Sequence, residues 1–89
     1  MSPDGDRLFE VKALISGVFY RASSPEAPPY VEVGQEVQPK QVLCLLETMK
    51  LFSKVKSPVK GKIVEIIPKN EEAVVKEQVL FRIQLKNED

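Results

Sequence analysis

The chain has no histidine, no tryptophan and a single cysteine. Without histidine there is no imidazole base, no Cys–His nucleophile pair and no histidine-containing zinc site. Cys44 has no partner for an internal disulfide, which fits a reducing compartment such as the cytosol. Glycine is scarce as well. Its four copies stand at 5, 17, 34 and 61, too far apart to form a phosphate-cradling loop. No apolar run approaches the ~18 residues that a membrane span needs. The amino terminus, Met1-Ser2-Pro3-Asp4-Gly5-Asp6, is polar and acidic, the opposite of a signal peptide. There is no excess charge either. Thirteen bases balance thirteen acids, a poor composition for a general nucleic-acid binder. These absences argue against self-sufficient catalysis and leave a carrier, an adaptor or a structural module.

What is present is enough for one compact domain. The 89 residues are 43% hydrophobic and 29% charged, a composition that folds and has no room for a second core. The charge balance hides an asymmetry: residues 1–49 carry four bases and seven acids, and residues 50–89 carry nine and six. The chain also repeats itself. Val11-Lys12-Ala13-Leu14-Ile15-Ser16-Gly17 matches Val55-Lys56-Ser57-Pro58-Val59-Lys60-Gly61 at an offset of 44. Val37-Gln38-Pro39-Lys40-Gln41-Val42-Leu43 matches Val74-Val75-Lys76-Glu77-Gln78-Val79-Leu80 at an offset of 37. The difference between the offsets, seven, equals the length of Ser23-Ser24-Pro25-Glu26-Ala27-Pro28-Pro29, which reads as a loop inserted into one copy of a duplicated unit.

The local patterns are those of strands. Val31-Glu32-Val33, Lys54-Val55-Lys56 and Phe81 to Leu85 alternate at period two, and Ile63 to Ile67 is short and β-branched. Prolines at 25, 28, 29, 39, 58 and 68 leave little room for a helix. The expected fold is all-β: a flattened barrel or sandwich with quasi-twofold symmetry and about four strands per half. Cys44, in an apolar run, reads as a small core residue.

Two strand-like runs, Val42 to Glu47 and Leu51 to Lys56, flank Thr48-Met49-Lys50. If they pair, Met49 and Lys50 sit at the turn. Tight two-residue hairpins want Gly or Asn there, because φ is positive at one or both positions. A large apolar Met at an exposed tip is a second oddity, and a local rule broken without structural gain is where function is sought. Turn chemistry alone favours a longer, ordinary turn with Lys50 merely solvated. From Lys50 to Lys62 there are five lysines, at 50, 54, 56, 60 and 62, and no acid. Their alternation with Val55 and Gly61 reads as a solvated strand face, and a patch that steers docking onto an acidic surface is the other reading.

Glu47-Thr48-Met49-Lys50-Leu51 resembles the biotinylation motif of biotin-dependent carboxylases, usually Glu-Ala-Met-Lys-Met. The stretch from Phe19-Tyr20-Arg21 to Val31-Glu32-Val33-Gly34, with the proline-rich insertion, is similar to the thumb loop of bacterial and plastid acetyl-CoA carboxylase carriers. The resemblance covers roughly residues 8–85. It departs from the family pattern at Thr48 and Leu51, at Ala22 where Thr often follows Tyr-Arg, and at Pro39-Lys40 and Lys76-Glu77, which lack the usual Gly-Asp.

The resemblance implies a biotinyl/lipoyl hammerhead of two four-stranded antiparallel sheets with a thumb at about 20–33, set between tails at 1–7 and 86–89. It implies covalent biotin on Lys50, and a motif of Glu47, Thr48, Met49 and Leu51 read by biotin protein ligase. Tyr20, Arg21, Ala22 and Ser23 would lie in a thumb near the biotin. The implied function is a non-catalytic, cytoplasmic, monomeric carrier that moves a carboxyl group between biotin carboxylase and carboxyltransferase in fatty acid synthesis, with no metal, nucleic acid or membrane involved. Two other readings stand beside it. A lipoyl carrier of a 2-oxoacid dehydrogenase or of glycine cleavage has a similar fold, but usually lacks the thumb and the Met before the lysine. An unmodified interaction module has no evident reason to keep Met49-Lys50.

Overall fold

A computed structural model describes residues 7–85. It contains eight strands and no helix among these residues: β1 (Leu8–Lys12), β2 (Gly17–Tyr20), β3 (Glu36–Val37), β4 (Val42–Thr48), β5 (Leu51–Lys56), β6 (Gly61–Ile66), β7 (Ala73–Val74) and β8 (Val79–Leu85). They form two antiparallel four-stranded sheets, in the orders β1-β8-β6-β3 and β5-β4-β2-β7. The tails expected at 1–7 and 86–89 lie outside the described residues, except for Arg7, whose carbonyl accepts from the Leu85 N–H at 3.0 Å.

The repeat is the architecture. Adding 44 to β1 and β2 gives β5 and β6, and adding 37 to β3 and β4 gives β7 and β8. Applied to one sheet, this exchange returns the other, so each sheet draws two strands from each half. The hydrogen bonds obey the same rule. Lys40 N–H donates to the Ser57 carbonyl at 2.7 Å, and Glu77 N–H donates to the Ala13 carbonyl at 2.8 Å. Gly34 N–H donates to Ile63 at 2.7 Å, and Glu71 N–H donates to Phe19. All four donors have positive φ, the left-handed geometry that turns an N–H back across a tight loop. Only Gly34 adopts it without steric cost.

The core lies between the sheets and pairs residues across the repeat: Phe19 with Ile63, Val37 with Val74, Leu43 with Leu80, and Leu46 with Ile83. Cys44 is fully buried where the other half places Phe81, so a small side chain balances a large one at the centre. Burial pushes its thiol up to about 12. Gly17 and Gly61 are required by closeness. A Cβ on Gly17 would overlap the Glu47 carbonyl, and one on Gly61 would overlap the repeat-equivalent Gln84 carbonyl.

One expected strand is absent. Val31-Glu32-Val33 alternates like a strand but leads into a turn, with Val31 in the core and Gly34 at φ 94°. Its repeat counterpart, Pro68-Lys69-Asn70, is also a turn. The alternation records one buried anchor followed by two exposed residues rather than a pleat.

Candidate functional site

The hairpin β4–β5 projects past its own sheet. Its pairing with β2 runs only as far as Val18–Glu47, whereas β4 and β5 continue through Glu47–Phe52 to Thr48–Leu51. Met49 and Lys50 close it as a two-residue turn, with φ of 52° and 67°. Both residues therefore hold the geometry for which Asn-Gly is the usual choice. Positive φ does not by itself distinguish the tip, since Lys40, Glu71 and Glu77 share it. Those three donate their N–H groups to backbone carbonyls and serve the fold. The tip is distinguished by two consecutive left-handed residues and by its surface. Met49 is 90% exposed, Leu51 70% and Phe52 58%, and Lys50 is exposed among them.

Glu47 and Tyr20, expected in separate parts of the site, are brought together. The Tyr20 hydroxyl donates to Glu47 Oε1 at 2.9 Å, and this bond to a carboxylate holds the phenol above its ordinary range. The Tyr20 ring lies 5.7 Å from that of Phe52, tilted by 57°. Tyr20 thus belongs to β2 rather than to the loop, and Val31, at the far end of the expected loop, belongs to the core.

Between them, Tyr30 N–H donates to the Arg21 carbonyl at 2.8 Å, and the Arg21 guanidinium donates to the Val31 carbonyl at 3.1 Å. These bonds close a neck. Above the neck, Ala22, Ser23, Ser24 and Pro25 line a cavity of about 180 Å³ against Tyr20, Leu45, Phe52, Asn70 and Glu71. Lys50 is not among the lining residues. Phe52, Leu45 and Asn70 escaped the sequence reading. Asn70 accepts from the Arg21 N–H at 2.9 Å across 49 residues, a contact with no local signature. Phe52 had one: as the second residue after Lys50, it returns to the face that carries Glu47.

This outer face is where the symmetry breaks. On the other sheet the repeat position of Leu45 is Arg82, which pairs with Glu10 at 3.1 Å and with Glu65. An ion triad covers one sheet, and an apolar patch beneath a loop covers the other.

Of the five lysines, Lys54, Lys56 and Lys62 are exposed, and Lys60 is half-buried. Among the described residues no group of His, Cys, Asp and Glu could hold a metal, and no helix is long and apolar enough to cross a membrane.

The fold and the site together define the class: a duplicated β-sandwich with one exposed lysine on the tip of a projecting hairpin. The match to known sequences makes the assignment particular: a family model described as biotin-requiring enzyme matches residues 10–83, and the chain belongs to that family. The biotin carboxyl carrier protein of acetyl-CoA carboxylase from Cyanidium caldarium is 38% identical over 86 residues, which cover 97% of this chain and 57% of that protein. The protein of the same description from a Nostoc species is 38% identical over 78 residues, covering 88% and 43%. The chain thus spans about half the length of these relatives. In three dimensions a single-chain, multi-domain long-chain acyl-CoA carboxylase matches 99% of the chain and 8% of its own length, with a TM-score of 0.76 at 15% identity, a likeness of fold.

Proposed function

We propose that this chain is the biotin carrier domain of an acetyl-CoA carboxylase, with biotin amide-linked to Nζ of Lys50. The observation that carries the reading is the exposed Met49-Lys50 tip in a chain of the biotin-requiring family. The residues present fit such a group. Lys50 has an open approach, and among the described residues no ion pair ties its amine.

Biotin, when attached, carries an activated carboxyl group between a biotin carboxylase site and a carboxyltransferase site. The chain supplies the remainder. Lys50 provides a primary amine on a long stem, and amide formation removes its charge and leaves a neutral arm. The paired strands β4 and β5 hold that arm clear of the domain body, so tethering raises its local concentration at each site. Met49 offers biotin protein ligase a soft apolar contact. The Ala22–Pro25 segment acts as a thumb beside the arm. With Ala22 in place of a hydroxyl-bearing residue, it would hold biotin more loosely, by about the 0.5–1.5 kcal/mol of one hydrogen bond, unless the Ser23 hydroxyl substitutes. We place the domain in the cytoplasm, without catalytic activity of its own.

Intact mass spectrometry after incubation with biotin protein ligase, biotin and ATP tests the reading. One biotinyl group is expected on the wild type and none on Lys50→Arg, with thermal stability little changed. Labelling that survives Lys50→Arg would sink the assignment.

A further inference from the structure

The tip has a fixing that the family motif does not describe. Beyond the Val18–Glu47 pair the hairpin has no neighbouring strand, and its closing pair, Thr48–Leu51, is followed at once by two left-handed residues. A two-stranded ribbon of this length is not stable in isolation. The last cross-strand pair that a third strand grips is Glu47–Phe52, and Tyr20 grips both members. Its hydroxyl bonds the Glu47 carboxylate at 2.9 Å, and its ring packs on Phe52 at 5.7 Å. Glu47 is therefore occupied from within the domain, three residues before Lys50.

Resting on the reading of Lys50 as the biotinylated residue, we propose that Tyr20 is a positioning residue. Through Glu47 and Phe52 it fixes the root of the hairpin, so that the ligase meets a tip already in its bound geometry. Glu47 then acts on biotinylation through Tyr20 rather than through its charge at the ligase surface. Without the clamp, ordering the tip is charged against ligase binding, and KM for the domain rises while kcat stays near its wild-type value.

The test uses kcat and KM of the apo-domain with biotin protein ligase, with folding of each variant checked by thermal melting. Tyr20→Phe keeps the ring and removes the hydroxyl, and it is expected to raise KM roughly threefold to tenfold, the equivalent of one hydrogen bond. Glu47→Ala should match it, and the double variant should be no worse than Glu47→Ala alone, since both break one contact. Glu47→Gln should recover most of the loss, because its amide oxygen still accepts from Tyr20. A Tyr20→Phe domain with wild-type KM overturns the proposal. So does a Glu47→Gln domain as impaired as Glu47→Ala, which would assign the carboxylate charge to the ligase contact. Hydrogen exchange in the apo-domain supplies a readout that needs no ligase: the amides of Thr48 and Leu51 should exchange faster in Tyr20→Phe, and unchanged exchange refutes the clamp. A wild type that is never modified, with exchange still faster in Tyr20→Phe, would instead remove the carrier reading and leave the clamp as a feature of the fold.

Discussion

Met49 and Lys50 hold φ values that cost a non-glycine residue about 1–2 kcal/mol each. The hairpin keeps them although glycine would relax the turn, a loss of stability that the proposed role of the two side chains accounts for. Met49→Gly is therefore expected to raise the urea midpoint, by up to about 1 kcal/mol of stability, while it slows biotinylation by removing the apolar contact. A variant that is both more stable and fully modified would show that Met49 is not read by the ligase. Cys44 makes the opposite kind of prediction, from inside the core. Its thiol, raised from 9.0 to about 12 by burial, binds its proton more tightly in the folded state than in the unfolded state. The associated stability is complete below pH 9 and is lost as pH climbs toward 12, at up to about 1.4 kcal/mol per pH unit. Denaturation of wild type and Cys44→Ala between pH 8 and 11 isolates the effect, because only the wild type carries this group. Iodoacetamide at pH 8 should label Cys44 in urea and spare it in the native domain.

At the scale of elements, the turns carry the duplication more faithfully than the strands do. Lys40 and Glu77, and likewise Gly34 and Glu71, take the same left-handed geometry and make equivalent hydrogen bonds. Pro39-Lys40 and Lys76-Glu77 lack the Gly-Asp usual in the resembling family, and the left-handed Lys40 and Glu77 lie there. Lys40→Gly and Glu77→Gly should each stabilise the domain by up to about 1 kcal/mol and add in combination, since the two turns share no partner. Chemical denaturation of the two single variants and the double variant checks this, and a loss of stability in either single would contradict the strain argument. The fold was legible because the repeat is periodic in sequence, and its Val and Gly positions recur where the core and the backbone demand them. Gly17 and Gly61 illustrate this: each was visible as a repeat position, and each is fixed by a carbonyl passing where a Cβ would stand. The site was half legible. Met49-Lys50 was visible as a turn with the wrong residues in it. The Tyr20–Glu47 bond was not, because it joins positions 27 residues apart and no local pattern encodes the pairing. Val31-Glu32-Val33 misled for a related reason. Three residues of alternation also describe a buried anchor leading into a turn, and only the long-range contacts of Val31 separate the two.

For the molecule as a whole, the quasi-twofold axis exchanges the sheets, and their outer faces differ. Arg82, in its ion triad with Glu10 and Glu65, is replaced at the equivalent position by Leu45, which is only 8% exposed beside Ala22 to Pro25 and the Tyr20–Phe52 pair. The insertion responsible is the segment that makes the two repeat offsets unequal. Deleting Ser23 to Pro29 joins Ala22 to Tyr30 and restores a single spacing, so that Arg21-Ala22-Tyr30-Val31 runs parallel to Glu65-Ile66-Ile67-Pro68. In the second half this shorter course folds, and the Ile67 N–H donates to the Leu80 carbonyl at 3.0 Å. In the deletion variant the Tyr30 N–H should find the equivalent Leu43 carbonyl, and the β-sandwich should persist. Uncovering Leu45 and part of Phe52 returns apolar surface to water, for a loss of about 1–2 kcal/mol. Lys50 and its clamp lie outside the deleted segment, so ligase should still add one biotinyl group. Carboxyl transfer should fall if the segment is the thumb proposed for it. Urea denaturation, intact mass spectrometry and a carboxyl-transfer assay read the three effects separately. An unfolded deletion variant would mean that the loop is part of the core rather than an addition to it, and a fully active one would leave the insertion without the proposed role.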